Sequence, residues 1–306
     1  DGGTTAESVA SAETPSVSTL PLTNSNFTTA INMWFANEAI ATATYGHIRD
    51  WNVTGVPNMA NAFKDKTTFD ENISGWDVSN VTNISRMFKG AAAFNQPIGN
   101  WNVSSVNWMS YTFGGATAFN QPIGAWDVSS VTSMGGLFDG ATSFNQPIGN
   151  WNVSAVTDIR WMFLGANSFN QPIGNWNISN VTETAAMFKN ASAFNQDVSA
   201  WNVSAVTDMG NMFQNANALS DVNKGLIHGS FSSNSNWPYD WSAHFTRPAH
   251  VVPSAANLRM LWVEPGSFIM GSPVTESGRS SDEREHNVTL TKGFYLGKYE
   301  VTQAQY

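Results

Sequence analysis

The side chains with most to offer a ligand are Arg86, Trp108, Tyr111, Arg160 and Trp161, which stand where otherwise matching segments of the chain carry Gly, Ser or Ala. Wide aromatic faces and guanidinium groups dominate binding hot spots, because one side chain buries a large flat area or donates several hydrogen bonds. Trp108 and Tyr111 lie three residues apart, the spacing of neighbours on a helical face, and Arg160 with Trp161 follows two repeats later. These five form the expected ligand-facing patch; the competing expectation is that they fill edge gaps or cover loops. Catalysis finds little to use. His47, His228, His244, His250 and His286 are scattered without metal-ligand spacing, and no nucleophile–base pair, phosphate loop or paired carboxylates stand out. The chain has no cysteine, which removes disulfides, thiolate chemistry and Cys-ligated metal. No cofactor, metal or catalytic residue is expected. The acidic group Asp282, Glu283 and Glu285 reads as an exposed loop.

A frame must position the patch, and tryptophan supplies its ruler. Trp51, Trp76, Trp101, Trp126, Trp151, Trp176 and Trp201 recur at one interval of 25 residues. A fixed period of this length marks a solenoid, in which each repeat is a small unit stacked on the next. Ordering one such unit costs more backbone entropy than its six or so apolar side chains return on burial, so the units must stack. The second repeat reads WDVSNVTNISRMFKGAAAFNQPIGN (76–100), and FNQPIG returns unchanged at 94–99, 119–124, 144–149 and 169–174. Ile98, Trp101 and Val103 suggest a short strand around the Trp; Val106, Met109 and Phe113 suggest one or two helical turns. Thr54, Ser79, Ser104, Ser129, Ser154, Ser179 and Ser204 stand where N-caps of those turns belong.

Other rows repeat with the Trp. Asn95, Asn120, Asn145, Asn170 and Asn195 are neutral amides, poor metal ligands, and are expected to satisfy backbone groups of adjacent coils. The Asn or Asp after each Trp is expected to face outward, forming N-x-Ser/Thr sequons as at Asn102 and Asn202. Thr82, Thr132, Thr157, Thr182 and Thr207 form a row broken by Pro57 and Asn107; capping explains it better than ice binding. The ends need covers. Phe27, Ile31, Trp34, Phe35 and Ala39 follow helical spacing over 24–41, with Asn24, Ser25 or Asn26 as N-cap. Val222, Leu226, Ile227 and Phe231 suggest a closing helix over 220–232, and NWPYDW (236–241) a fold over the last coil.

The expected organisation is a flexible leader (1–20), a solenoid (21–245), a linker (246–257) and the start of another domain (258–306). Within the solenoid, 21–50 is the N-cap, 51–225 the repeats and 226–245 the C-cap. The chain opens at Asp1 without a signal-like stretch and stops at Tyr306 in mid-pattern, so it reads as a piece of a longer protein. A net charge of −9 disfavours nucleic acid or anionic membrane as partner, and no apolar run approaches the ~20 residues of a bilayer span.

Two resemblances follow from the motifs. The repeat W-[ND]-V-S-x-V-T-x-M-x-x-M-F-x-x-A-x-x-F-N-Q-P-I-G, together with TYGHIRDWNVTGV (44–56), resembles the BspA-like leucine-rich-repeat surface proteins, or DUF285 family, over about 22–245. That resemblance implies a bacterial cell-surface or secreted, leucine-rich-repeat-like solenoid, with adhesion or protein recognition as its role. LWVEPGSFIMGS (261–272), ESGRSSDEREHNVTLT (276–291) and GFYLGKYEVTQAQY (293–306) resemble the opening of the formylglycine-generating enzyme, or sulfatase-modifying factor, family. It implies a C-type-lectin-like fold, whose catalytic members use a downstream cysteine pair with copper; no such residue lies in this chain.

The expected fold is thus an α/β repeat solenoid, leucine-rich-repeat-like, of seven 25-residue coils with helical N- and C-caps. The beginning of an α+β C-type-lectin-like domain follows it. The expected function is extracellular or cell-surface recognition of a protein or glycan ligand, without catalysis in this chain. Two alternatives stay open: a targeting module for a secreted formylglycine-generating-type oxidoreductase whose catalytic part lies beyond residue 306, and a rigid structural spacer. The oligomeric state is not legible.

Overall fold

The computed structural model describes residues 20–244 and four short strands nearer the C-terminus. Residues 1–19 of the expected leader, the linker 246–257 and the Asp282, Glu283, Glu285 group lie outside the described residues. The chain divides into two compact units, Asp1–Thr246 and Arg247–Tyr306. In the second, β1 (Met260–Val263) pairs antiparallel with β4 (Phe294–Gly297), and β2 (Gly266–Met270) with β3 (His286–Leu290).

Seven coils stack at the Trp interval, but the expected strand and helical turns are absent from them. Each coil is a run of tight turns, and the β-pairing between coils is confined to isolated parallel bridges in the row Asn58, Asn83, Trp108, Ser133, Asp158, Glu183, Asp208. The hydrogen bonds give the reason. In the second coil the amides of Ile84, Arg86, Phe88 and Gly90 donate to Trp108, Ser110, Thr112 and Gly114 of the next coil. The amides between them, Met87, Lys89 and Ala91, close turns on Ile84, Arg86 and Phe88. An α-helix would consume all of these donors internally, whereas alternation serves both the coil and the stack. Apolar residues at steps of three or four are therefore turn positions, and the "α/β" expectation is corrected to stacked turns.

The aromatic residues form continuous columns. Phe63, Phe88, Phe113, Phe138, Phe163, Phe188 and Phe213 stack with ring centroids 5.4–5.7 Å apart. A second column, Phe69 to Phe194, runs beside it at 5.8–6.3 Å. Trp76 to Trp201 are buried, and each indole N–H donates to the carbonyl 28 residues earlier, as Trp126 does to Ile98.

The polar rows serve the backbone. The Asn120 amide N–H donates to Asn95 Oδ1 at 3.0 Å, and the Gln121 side-chain amide donates to the same oxygen, also at 3.0 Å. This arrangement recurs through Asn195, so the Asn row satisfies adjacent coils as expected. The expected Ser caps are corrected. Each such Ser gives its backbone N–H to the Asn or Asp two residues before it, as Ser79 does to Asp77, and so sits in an Asx turn rather than at a helix start. The Thr row does not cap either. Thr157 donates both its N–H and its Oγ1 to the Thr132 carbonyl of the coil before, because no helix N-terminus exists there.

Both ends are covered by helices and edge-on rings. The single expected N-terminal helix is two, α1 (Phe27–Ala36) and α2 (Glu38–Tyr45), broken at the extended Asn37, whose side chain caps α2. Asn26 precedes α1 without a side-chain cap, and Ala39 is exposed rather than buried. Trp34 meets Trp51, and Phe35 meets Phe63 and Phe69, edge to face. At the other end α3 (Asp221–Phe231) is the expected closing helix; it buries Ile227 and Phe231 but exposes Val222 and Leu226, the other two of the four apolar residues that marked it. Trp237, Tyr239 and Trp241 close over Phe213, whose N–H donates to the Tyr239 oxygen at 2.9 Å.

Candidate functional site

The five expected patch residues stand in three rows of the stack, Trp108 in one, Arg160 in another, and Arg86, Tyr111 and Trp161 in a third. Residues 61, 86, 111, 136, 161, 186 and 211 occupy one register, and all seven have positive φ, between 51° and 63°. Such a left-handed backbone suits Gly and Asn and costs a residue with a β-carbon roughly 1–2 kcal/mol. A second left-handed register shows the economical solution: Asp65, Gly90, Gly115, Gly140, Gly165, Asn190 and Asn215. The first register uses Asn61, Gly136 and Asn211 but also Arg86, Tyr111 and Trp161. Large side chains are thus held where the backbone pays for them. Ala186 bears the same strain with no large side chain, and nothing in the structure explains it.

Three of the large residues meet. Tyr111 leans across the fourth coil, where Gly135 and Gly136 are buried, and brings its ring to within 6.3 Å of Trp161, tilted by 37°. A β-carbon on Gly136 would overlap Cε1, Cδ1 and Cζ of the Tyr111 ring. Cations flank the pair. The Arg86 guanidinium lies 5.9 Å and Lys89 Nζ 4.6 Å from the Tyr111 ring, and the Arg160 guanidinium lies 5.3 Å from Trp161. Arg160 is held by Asp158, through Nε at 3.0 Å and Nη2 at 2.9 Å. Neither Arg86 nor Lys89 has an ion-pair partner among the described residues. Burial pushes the Tyr111 phenol above its ordinary range; the Asp139 charge adds to this, and Arg160 and Arg86 oppose it. Burial likewise raises the Asp139 carboxyl, against the pull of Lys89.

Trp108 stands apart. It belongs to the bridged row, is 49% exposed, and makes no ring contact with Tyr111 or Trp161. The expected helical face shared by Trp108 and Tyr111 does not exist, because no helix forms there. Lys89, Gly136 and Asp158 were not singled out from the sequence, yet they shape the site. Their signal lay in the same registers: Lys89 three residues after Arg86, Gly136 between the Tyr and Trp coils, and Asp158 in the Trp108 row.

The described residues hold no group of three or more His, Asp or Glu placed to bind a metal. A polar cleft of about 550 Å³ lies at the stack's end, between residues 201–207 and 230–236. There the Asn234 amide donates to the Val203 and Val206 carbonyls. It belongs to the cover.

A substitution tests the geometry of the aromatic pair. Gly136→Ala must expel the Tyr111 ring and add a strained β-carbon, so a loss of about 1–2 kcal/mol is expected. The same variant should lose the nuclear Overhauser contacts between the Tyr111 ring and the residue 136 backbone.

A family model described as "Mycoplasma protein of unknown function, DUF285" matches residues 29–137 and 121–225, together more than half of the chain. A second, described as "Sulfatase-modifying factor enzyme 1-like domain", matches residues 245–306. No curated protein and no solved structure matches the chain.

Proposed function

From the premise that the chain belongs to the DUF285 family, we propose that its repeats form a non-catalytic recognition module displayed outside the cell. Its ligand, a protein or a glycan, docks on the Arg86, Tyr111, Arg160 and Trp161 face, with Trp108 at its margin. One observation carries this reading. Tyr111 and Trp161 are held in left-handed positions that Asn or Gly would occupy without strain, and they converge across a glycine notch. Local strain that persists against a cheaper alternative points to a role beyond packing. A mere spacer has no use for an aromatic pair flanked by three cations. The test is a binding screen of the full chain against extracellular proteins and glycans. Specific capture of a ligand that competes at this face is expected; a chain that captures none contradicts the reading.

A second reading rests on the match over residues 245–306. In it, the repeats target a formylglycine-generating-type oxidoreductase whose catalytic part follows residue 306. It requires the downstream cysteine pair in the full gene, and fails if that pair is absent.

A further inference from the structure

We infer that the face takes an anionic saccharide, a sugar chain bearing carboxylate or sulfate groups. This rests on the recognition reading above and narrows its ligand. Three features of the surface lead to it.

The first is shape. Tyr111 and Trp161 form a short, tilted, two-ring platform rather than a broad apolar area. An aromatic ring covers the C–H face of one pyranose, so two rings suit two sugar units. A stable protein interface instead needs roughly 800 Å² per partner with an apolar core. The exposed large hydrophobic residues among the described residues are Leu20, Ile40, Trp108, Val222 and Leu226. Four of these five sit before or after the coils, and only Trp108 lies within them.

The second is charge. On a chain of net charge −9, Arg86, Lys89 and Arg160 crowd one pair of rings. Arg86 and Lys89 have no ion-pair partner among the described residues, and Asp158 engages Arg160 through Nε and Nη2. An anion arriving at the platform thus meets two cations, Arg86 and Lys89, without an ion-pair partner among the described residues. Arginine forks match carboxylate and sulfate oxygens geometrically.

The third is placement. The cations lie over the rings, Lys89 Nζ 4.6 Å and the Arg86 guanidinium 5.9 Å from the Tyr111 centroid and the Arg160 guanidinium 5.3 Å from that of Trp161. A sugar docked at these rings brings its acidic substituents within reach of the three cations. A neutral sugar would leave them unused.

The experiment titrates the full chain, by calorimetry, with oligogalacturonate, a heparin-derived oligosaccharide, chondroitin sulfate and alginate. Methyl-esterified oligogalacturonate and desulfated, carboxyl-reduced heparin serve as neutralised counterparts, and polyglutamate supplies the charge without the sugar. At least one anionic sugar is expected to bind, with its neutralised counterpart and polyglutamate weaker by about tenfold or more. Trp161→Asn, and Arg86→Gln with Lys89→Gln, are each expected to weaken that sugar by about tenfold or more, with circular dichroism unchanged. The inference is overturned if no anionic sugar binds, if the neutralised sugar binds equally, or if polyglutamate does. It is also overturned if the variants bind as the parent does. A protein ligand captured in the screen and released by Trp161→Asn would sink the saccharide while leaving the recognition reading standing.

Discussion

Phe138→Ala should cost about 3–5 kcal/mol of stability, the usual loss for emptying a buried phenylalanine site. The residue is fully buried in the middle coil, stacked at 5.7 Å on Phe113, at 5.6 Å on Phe163 and at 3.8 Å on Phe144. No side chain can move in to fill the gap, because the same column continues above and below it. Repeat proteins hold together through nearest-neighbour interfaces. A hole at the centre therefore weakens the coupling between the first three coils and the last three. Chemical denaturation should move to a lower midpoint and split into two transitions, as cooperativity fails in long arrays. A loss below about 1 kcal/mol would show that the columns are not what joins the coils.

The second large effect is polar. Asn145 Oδ1 accepts the Asn170 N–H at 2.9 Å and the Gln171 side-chain amide at 3.0 Å. Asn145→Leu leaves the Asn170 N–H without its acceptor, while the Gln171 amide keeps the Asn145 backbone carbonyl at 3.0 Å. An unsatisfied buried donor costs about 1–3 kcal/mol, and that loss is expected in denaturant unfolding. Asn145→Asp keeps the acceptor. The first rung already uses a carboxylate, since Asp70 Oδ1 accepts the Asn95 N–H at 2.8 Å. The Asp variant should therefore stay within about 1 kcal/mol of the parent, against the larger loss of the Leu variant. Equal losses in both would mean that the amide's own donors, not its oxygen, hold the row.

The Trp interval, the burial of the Phe rows and the service of the Asn row were legible from spacing alone, because each is a strict ladder. Secondary structure within a coil was not. Val106, Met109 and Phe113 step by three and four, which an α-helix and a chain of three-residue turns both produce. The discriminating signal was present in residues 65, 90, 115, 140, 165, 190 and 215, all Asp, Gly or Asn. A row of that composition marks a left-handed turn in every coil and excludes a helix through it. The other left-handed row was disguised by Arg86, Tyr111 and Trp161, so its strain became visible only in the backbone angles. Of the site, the five irregular residues stood out against the repeat. The convergence of Tyr111 on Trp161 did not, because it depends on a ring lying over Gly136 in the intervening coil. Trp108, grouped with them on helical spacing, stands apart because no helix brings its row and theirs onto one face.

The separation of packing from recognition is tested most directly at Trp161, by measuring stability and ligand binding on one variant. Asn already occupies the same left-handed register at Asn61 and Asn211. Trp161→Asn should therefore fold as well as the parent, within about 1 kcal/mol and with strain relieved. Binding should weaken by about tenfold or more, the opposite signature to Phe138→Ala. A Trp161→Asn chain that loses several kcal/mol of stability, or that folds normally and binds its ligand undiminished, would contradict the account.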